Sequence, residues 1–84
     1  MDFKIFLSQE ALSDLEQIVA YIAPHNPIAA EQMGDLLLGT AFSLRELVVH
    51  SYRIIYRVRQ ADMSVEIVRF WHGARGVPRI PPPN

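Results

Sequence analysis

Between Leu47 and Trp71 the chain offers three β-type runs, Leu47-Val48-Val49, Tyr52 to Arg59 and Val65 to Trp71. They are joined only by the turns His50-Ser51 and Gln60-Ala61-Asp62. A parallel crossover needs about a dozen residues or more, so connections this short force an antiparallel meander. The same segment carries guanidinium groups where a plain strand would alternate apolar and polar residues. Arg53 sits between Tyr52 and the Ile54-Ile55 pair, and Trp71-His72-Gly73-Ala74-Arg75 closes the last run.

The elements before this meander follow from local signals. Phe3 to Leu7 is a β-type run of aromatic and branched residues that Ser8 ends, and the Ser8 hydroxyl suits the N-cap of a helix. Leu12, Leu15, Ile18, Val19 and Ile22 then recur at helical steps, with Glu10, Asp14 and Glu16 off that stripe and near the positive end of the dipole. Pro24 stops this helix. Asn26-Pro27 opens a second, with a capping amide followed by a proline where the missing N–H costs nothing. Ile28, Met33, Leu36 and Leu37 form its stripe, while Ala29 and Ala30 permit close approach to the first helix. Gly39 either ends the second helix or lies within one that fades near Ser43. The order is β-α-α-β-β-β, an α+β fold with a helical hairpin packed on one face of a small, mainly antiparallel sheet. Residues 1–76 make a single domain, and the proline-rich tail 77–84 is expected to lie extended on its surface.

Eighty-four residues are near the lower limit for one independent core, and half of them are hydrophobic. There is no cysteine, so neither disulfides nor thiolate metal ligands supplement that core. A cytoplasmic setting fits. No apolar run approaches the ~20 residues of a membrane span, and the stretch from Met1 to Leu7 is too short and polar for a signal peptide.

The net charge of −1 hides an asymmetry. Residues 1–44 hold six acids against Lys4 alone, whereas residues 45–84 hold seven arginines against Glu46, Asp62 and Glu66. Such polarity suits a C-terminal half that meets a polyanion or an acidic partner. In an alternating strand, Arg53, Ile55, Arg57 and Arg59 share one face, and Tyr52, Ile54, Tyr56 and Val58 share the other as the better core candidates. Each guanidinium can fork onto a phosphate or carboxylate. Arg69, His72 and Arg75 add polar groups near the end of the sheet. If Arg53, His72 and Arg75 converge, they suit metal-free RNA cleavage, with a base for the ribose 2′-hydroxyl and arginines for the charge on phosphorus. The alternative is a solvated arginine row and a structural histidine beside Trp71. His25, His50 and His72 lack metal-ligand spacing, so no metal site and no cofactor is expected. No glycine-rich phosphate loop or nucleophile elbow occurs, and the helices lack the charge of a recognition helix.

Taken together, ALSDLEQIVAYIAPHNPIAAEQMGDLL, RELVVHSYRIIYRV and VEIVRFWHGAR resemble the RelE/ParE family of toxins from type II toxin–antitoxin modules. YRIIYRV and WHGAR are the most specific parts, and the likeness covers nearly the whole chain up to Arg75. It implies a cytoplasmic toxin that inhibits growth, serves plasmid stabilization and is neutralised by a cognate antitoxin wrapping its surface as a hetero-oligomer. It also implies one of two targets, ribosome-bound mRNA in RelE-like members or DNA gyrase in ParE-like ones. By the same resemblance Arg53 stands where RelE-like ribonucleases hold the scissile phosphate, with His72 or Arg75 near their C-terminal basic residue. Arg53, Arg57, Arg59, Arg69, Trp71 and Arg75 are the residues expected to bind antitoxin or target.

Three departures bear on the target. The strand before the His50-Ser51 turn offers Glu46 and apolar residues in place of RelE-like lysines, and no tyrosine follows Arg75. Both lean away from an enzyme and towards ParE-like binding. Phe42-Ser43-Leu44 also runs almost directly into Arg45, where family members have a longer connection. That leaves a third reading, an inactive and shortened antitoxin-binding remnant.

Overall fold

A computed structural model describes residues 3–43, 48–76 and 80. The elements are β1 (Lys4–Leu7), α1 (Gln9–Ile22), α2 (Pro27–Ser43), β2 (Val48–Val49), β3 (Tyr52–Arg59) and β4 (Ser64–His72), followed by a 3-10 turn at Gly73–Arg75. This is the expected α+β order. The connection at residues 44–47, which includes the first residue of the Leu47-Val48-Val49 run, lies outside the described residues. So does the expected extended tail, apart from Ile80.

The helix signals act as read. Ser8 Oγ accepts the Ala11 N–H at 3.0 Å, and Asn26 Oδ1 accepts the Ala29 N–H at 3.0 Å just before Pro27. Of the two roles open to Gly39, the second holds, because α2 continues through it to Ser43. A Cβ at Gly39 would meet nothing within 4 Å, so Gly39→Ala is expected to raise stability by about 0.5–1 kcal/mol through helix propensity alone. A urea midpoint measures it. At Gly34 the same Cβ would come within 3.1 Å of Val19 Cγ2, so there the propensity gain is opposed by the tight helix pairing.

The sheet order is β1-β4-β3-β2. β2, β3 and β4 form the antiparallel meander, while β1 lies parallel to β4, Lys4 opposite Ser64 and Leu7 opposite Ile67. The helix pair covers one face, where Ala11, Ile18, Leu37 and Ala41 meet Val49, Ile54, Val65, Ile67 and Phe70 in the core. Fully buried side chains the size of Leu37, Ile67 or Phe70 contribute about 1.5–3 kcal/mol each.

Strand alternation is interrupted once. Ile55 pairs with Arg69 but Tyr56 pairs with Ile67, which leaves Val68 as an extra residue on β4. A bulge changes the parity of everything beyond it. Val65 and Ile67 therefore face the helices, and after the bulge so do Phe70 and His72, with Arg69 and Trp71 on the other side.

The helices do not cover all of β3. Tyr52 and Ile54 join the core as expected, but Tyr56 and Val58 on the same side are 39% and 49% exposed. The stripes also sit differently on the helices. Leu12 (47%), Ile28 (70%) and Leu36 (43%) are exposed, and the buried positions are Ala11, Asp14 and Ile18 on α1 and Ala30, Leu37 and Ala41 on α2.

Candidate binding face and groove

β1 ends at Leu7, and beyond it the edge of β4 is met by α1 rather than by a strand. Ser8 Oγ donates to the Val68 carbonyl at 2.8 Å, while Asp14 Oδ2 accepts the Phe70 backbone N–H at 3.2 Å. The same carboxylate takes Arg69 in a fork, Nε to Oδ2 at 2.6 Å and Nη2 to Oδ1 at 2.8 Å. Both side chains are largely withdrawn from water, 14% exposed for Arg69 and 7% for Asp14. Hydrogen bonding to Asp14 raises the Arg69 pKa above its usual range, burial opposes the rise, and the Asp14 charge reinforces it. Arg69 thus works inside the fold.

The remaining arginines divide into two sets. On the face away from the helices, Glu66 lies opposite Arg57 and accepts its Nε–H at 2.7 Å. Arg59 Nη2 also reaches Glu66 at 3.3 Å, and its guanidinium stands 5.5 Å from the centre of the Phe6 ring. Arg53, on that same face and opposite Trp71, is exposed and has no acidic partner among the described residues. Of the arginines on β3, Arg53 alone presents a charge not already answered by Glu66.

Trp71 is buried, with the guanidiniums of Arg69 and Arg75 over its ring at 4.8 Å and 4.5 Å, and its indole N–H donates to the Gly76 carbonyl at 2.9 Å. Stacking of this kind fixes a planar cation without neutralising it. Arg75 is exposed in the 3-10 turn and stands at the end of the sheet, where its two faces meet.

On the helix side of that end, a groove of about 360 Å³ opens between α1 and the strand termini. Asp14, Gln17, Ile18 and Tyr21 line it from α1, with Tyr52, Phe70, His72 and Arg75 from the sheet and turn. The His72 ring meets Tyr52 edge-on, 5.1 Å between centres. His72 Nδ1 accepts the Ala74 N–H at 3.1 Å, so in the neutral ring the proton is on Nε2.

His72 and Arg75 are therefore brought together, but Arg53 projects from the opposite face of the sheet. Arg57 and Arg59 meet at Glu66, and Arg69, Trp71 and Arg75 form one stack. Sequence reasoning missed Asp14 as a buried partner and did not single out Gln17, Tyr21 or Tyr52 as groove residues. One signal was present: Asp14 falls with Ala11 and Ile18 on a single helical stripe, the position of an acid that must find a partner inside. Among the described residues no group of His, Cys, Asp and Glu could hold a metal ion, and no helix is long and apolar enough to cross a membrane.

A family model described as the ParE toxin of type II toxin-antitoxin system, parDE, matches residues 5–77. No curated protein matches the chain.

Proposed function

The chain belongs to the ParE toxin family of type II toxin–antitoxin systems, and on that premise we propose that it arrests growth by binding DNA gyrase. In this reading it acts in the cytoplasm without cutting RNA, and a cognate antitoxin holds it inactive as a hetero-oligomer. The supporting observation is the placement of Arg53 on one face of the sheet and His72 on the other. A phosphate held by Arg53 would be out of reach of the imidazole, so acid–base cleavage has no assembled set of groups. What remains is recognition from both sides of the sheet: exposed Arg53 and Arg75 steadied on Trp71, and, on the helix side of β3, the apolar Tyr56 and Val58 left uncovered by the helices. An antitoxin segment that wraps β3 fits this arrangement, with acids on the arginines of one face and apolar residues on Tyr56 and Val58 of the other.

Controlled expression in a bacterial host without the antitoxin tests this reading. The expected result is growth arrest with induction of a DNA-damage reporter and no codon-positioned mRNA cuts. Arrest with such cuts would establish the ribonuclease instead. Undisturbed growth would make the chain a remnant that only binds antitoxin.

A further inference from the structure

The groove between α1 and the end of the sheet has a lining that antitoxin and gyrase binding leave unexplained. Its floor is apolar, with Ile18 and Phe70 both buried. Tyr21, 77% exposed, stands at its rim, and Tyr52 forms a second aromatic wall that His72 braces edge-on. Gln17, whose Nε2 donates to Ser13 Oγ at 3.1 Å and whose amide oxygen stays available, and His72 supply polar groups suited to the edge of a ring. The carboxylate of Asp14 is already matched by Arg69, so among the described residues Arg75 supplies the uncompensated charge of the lining. The volume of about 360 Å³ lies at the small end of the range for ligand sites, roughly 300–1,000 Å³.

From these features we infer that the groove binds a single nucleotide unit, its base among Tyr21 and Tyr52 and its phosphate on Arg75. A flat ring matches aromatic walls over an apolar floor, and one anionic group matches one guanidinium. A side chain of a protein partner would fill the floor but would leave either the polar groups of Gln17 and His72 or Arg75 unanswered. The nucleotide comes either from the free pool or from a flipped-out position of a single strand. The groove opens on the face opposite Arg53 and shares only Arg75 with the surface proposed above, so Tyr21→Ala, which leaves that surface intact, separates loss of this binding from loss of growth arrest.

The protein carries its own reporter. Trp71 is the single tryptophan of the chain, and Arg75 stacks on it. Phosphate drawing Arg75 off the indole changes its emission. The purified protein is titrated with adenosine 5′-monophosphate, adenosine, inorganic phosphate, a short single-stranded oligonucleotide and the dipeptide Phe-Glu, with calorimetry beside fluorescence. The nucleotide is expected to give a saturable change, with adenosine and phosphate each at least about tenfold weaker. Arg75→Ala and Tyr21→Ala should each weaken nucleotide binding at least about tenfold by calorimetry. Gln32→Ala, on exposed α2 surface, should leave it unchanged. Both substituted groove residues are exposed, so folding is preserved. Tighter binding of the oligonucleotide than of the mononucleotide assigns the ligand to a strand, and the reverse assigns it to the free pool. Absence of saturable binding by either, phosphate binding as tightly as the nucleotide, or Phe-Glu binding as tightly would each overturn the inference.

Discussion

Replacing Asp14 with alanine is expected to cost about 3–5 kcal/mol, because it strands a buried Arg69 guanidinium and orphans the Phe70 N–H together. A domain of this length has a total stability of about 4–13 kcal/mol. The variant should therefore melt some tens of degrees lower, at about 4–8 °C per kcal/mol, or fail to fold at 37 °C. The effect belongs to the carboxylate rather than to helix α1. Arg69→Met alone should cost less, since Asp14 keeps its bond from the Phe70 N–H. Asp14→Leu combined with Arg69→Met should recover much of the loss, as apolar replacements of buried ion pairs do. Thermal melts of the three variants decide. A loss below about 1 kcal/mol for Asp14→Ala would mean that the fork with Arg69 does not hold α1 on β4.

Reversing the charge at Arg53 should have the largest effect on partner binding. Arg53→Glu is expected to weaken antitoxin affinity by about 30-fold or more, the level of an arginine hot spot. Arg57→Ala should cost several-fold less, because Arg57 is engaged with Glu66 before any partner arrives. Surface charges on this face also speed encounter, so the association rate of Arg53→Glu should fall and lose its salt dependence. Titration of the purified cognate antitoxin against both variants measures this. Affinities within twofold of the parent chain would place the antitoxin elsewhere.

The order of elements is legible because each depends on local chemistry. Ser8 and Asn26-Pro27 start helices by capping, and the two short turns allow only a meander. The parallel pairing of β1 with β4 is not legible, since it joins residues some sixty positions apart and no turn announces it. Nor is the bulge at Val68. A run such as VEIVRFWH has no glycine to mark a break, and its consequence, Phe70 inward and Arg69 outward, reverses what plain alternation from Val65 gives.

The candidate site is half legible for the same reason. The identities of Arg53, His72 and Arg75 can be read, but their grouping depends on strand parity and on where the chain turns after β4. Arg69 looks like surface charge because its partner, Asp14, is remote in sequence on a helix rich in acids. Glu66 likewise engages Arg57 and Arg59 only once β3 and β4 pair. Charge counting locates a basic half of the chain, and pairing geometry decides which of its arginines remain for a partner.

Gyrase supercoiling in the presence of the purified protein tests the central claim most directly. Dose-dependent loss of supercoiled product, restored by adding the cognate antitoxin, is the predicted result. Unimpaired supercoiling with the toxin in excess over gyrase would contradict it.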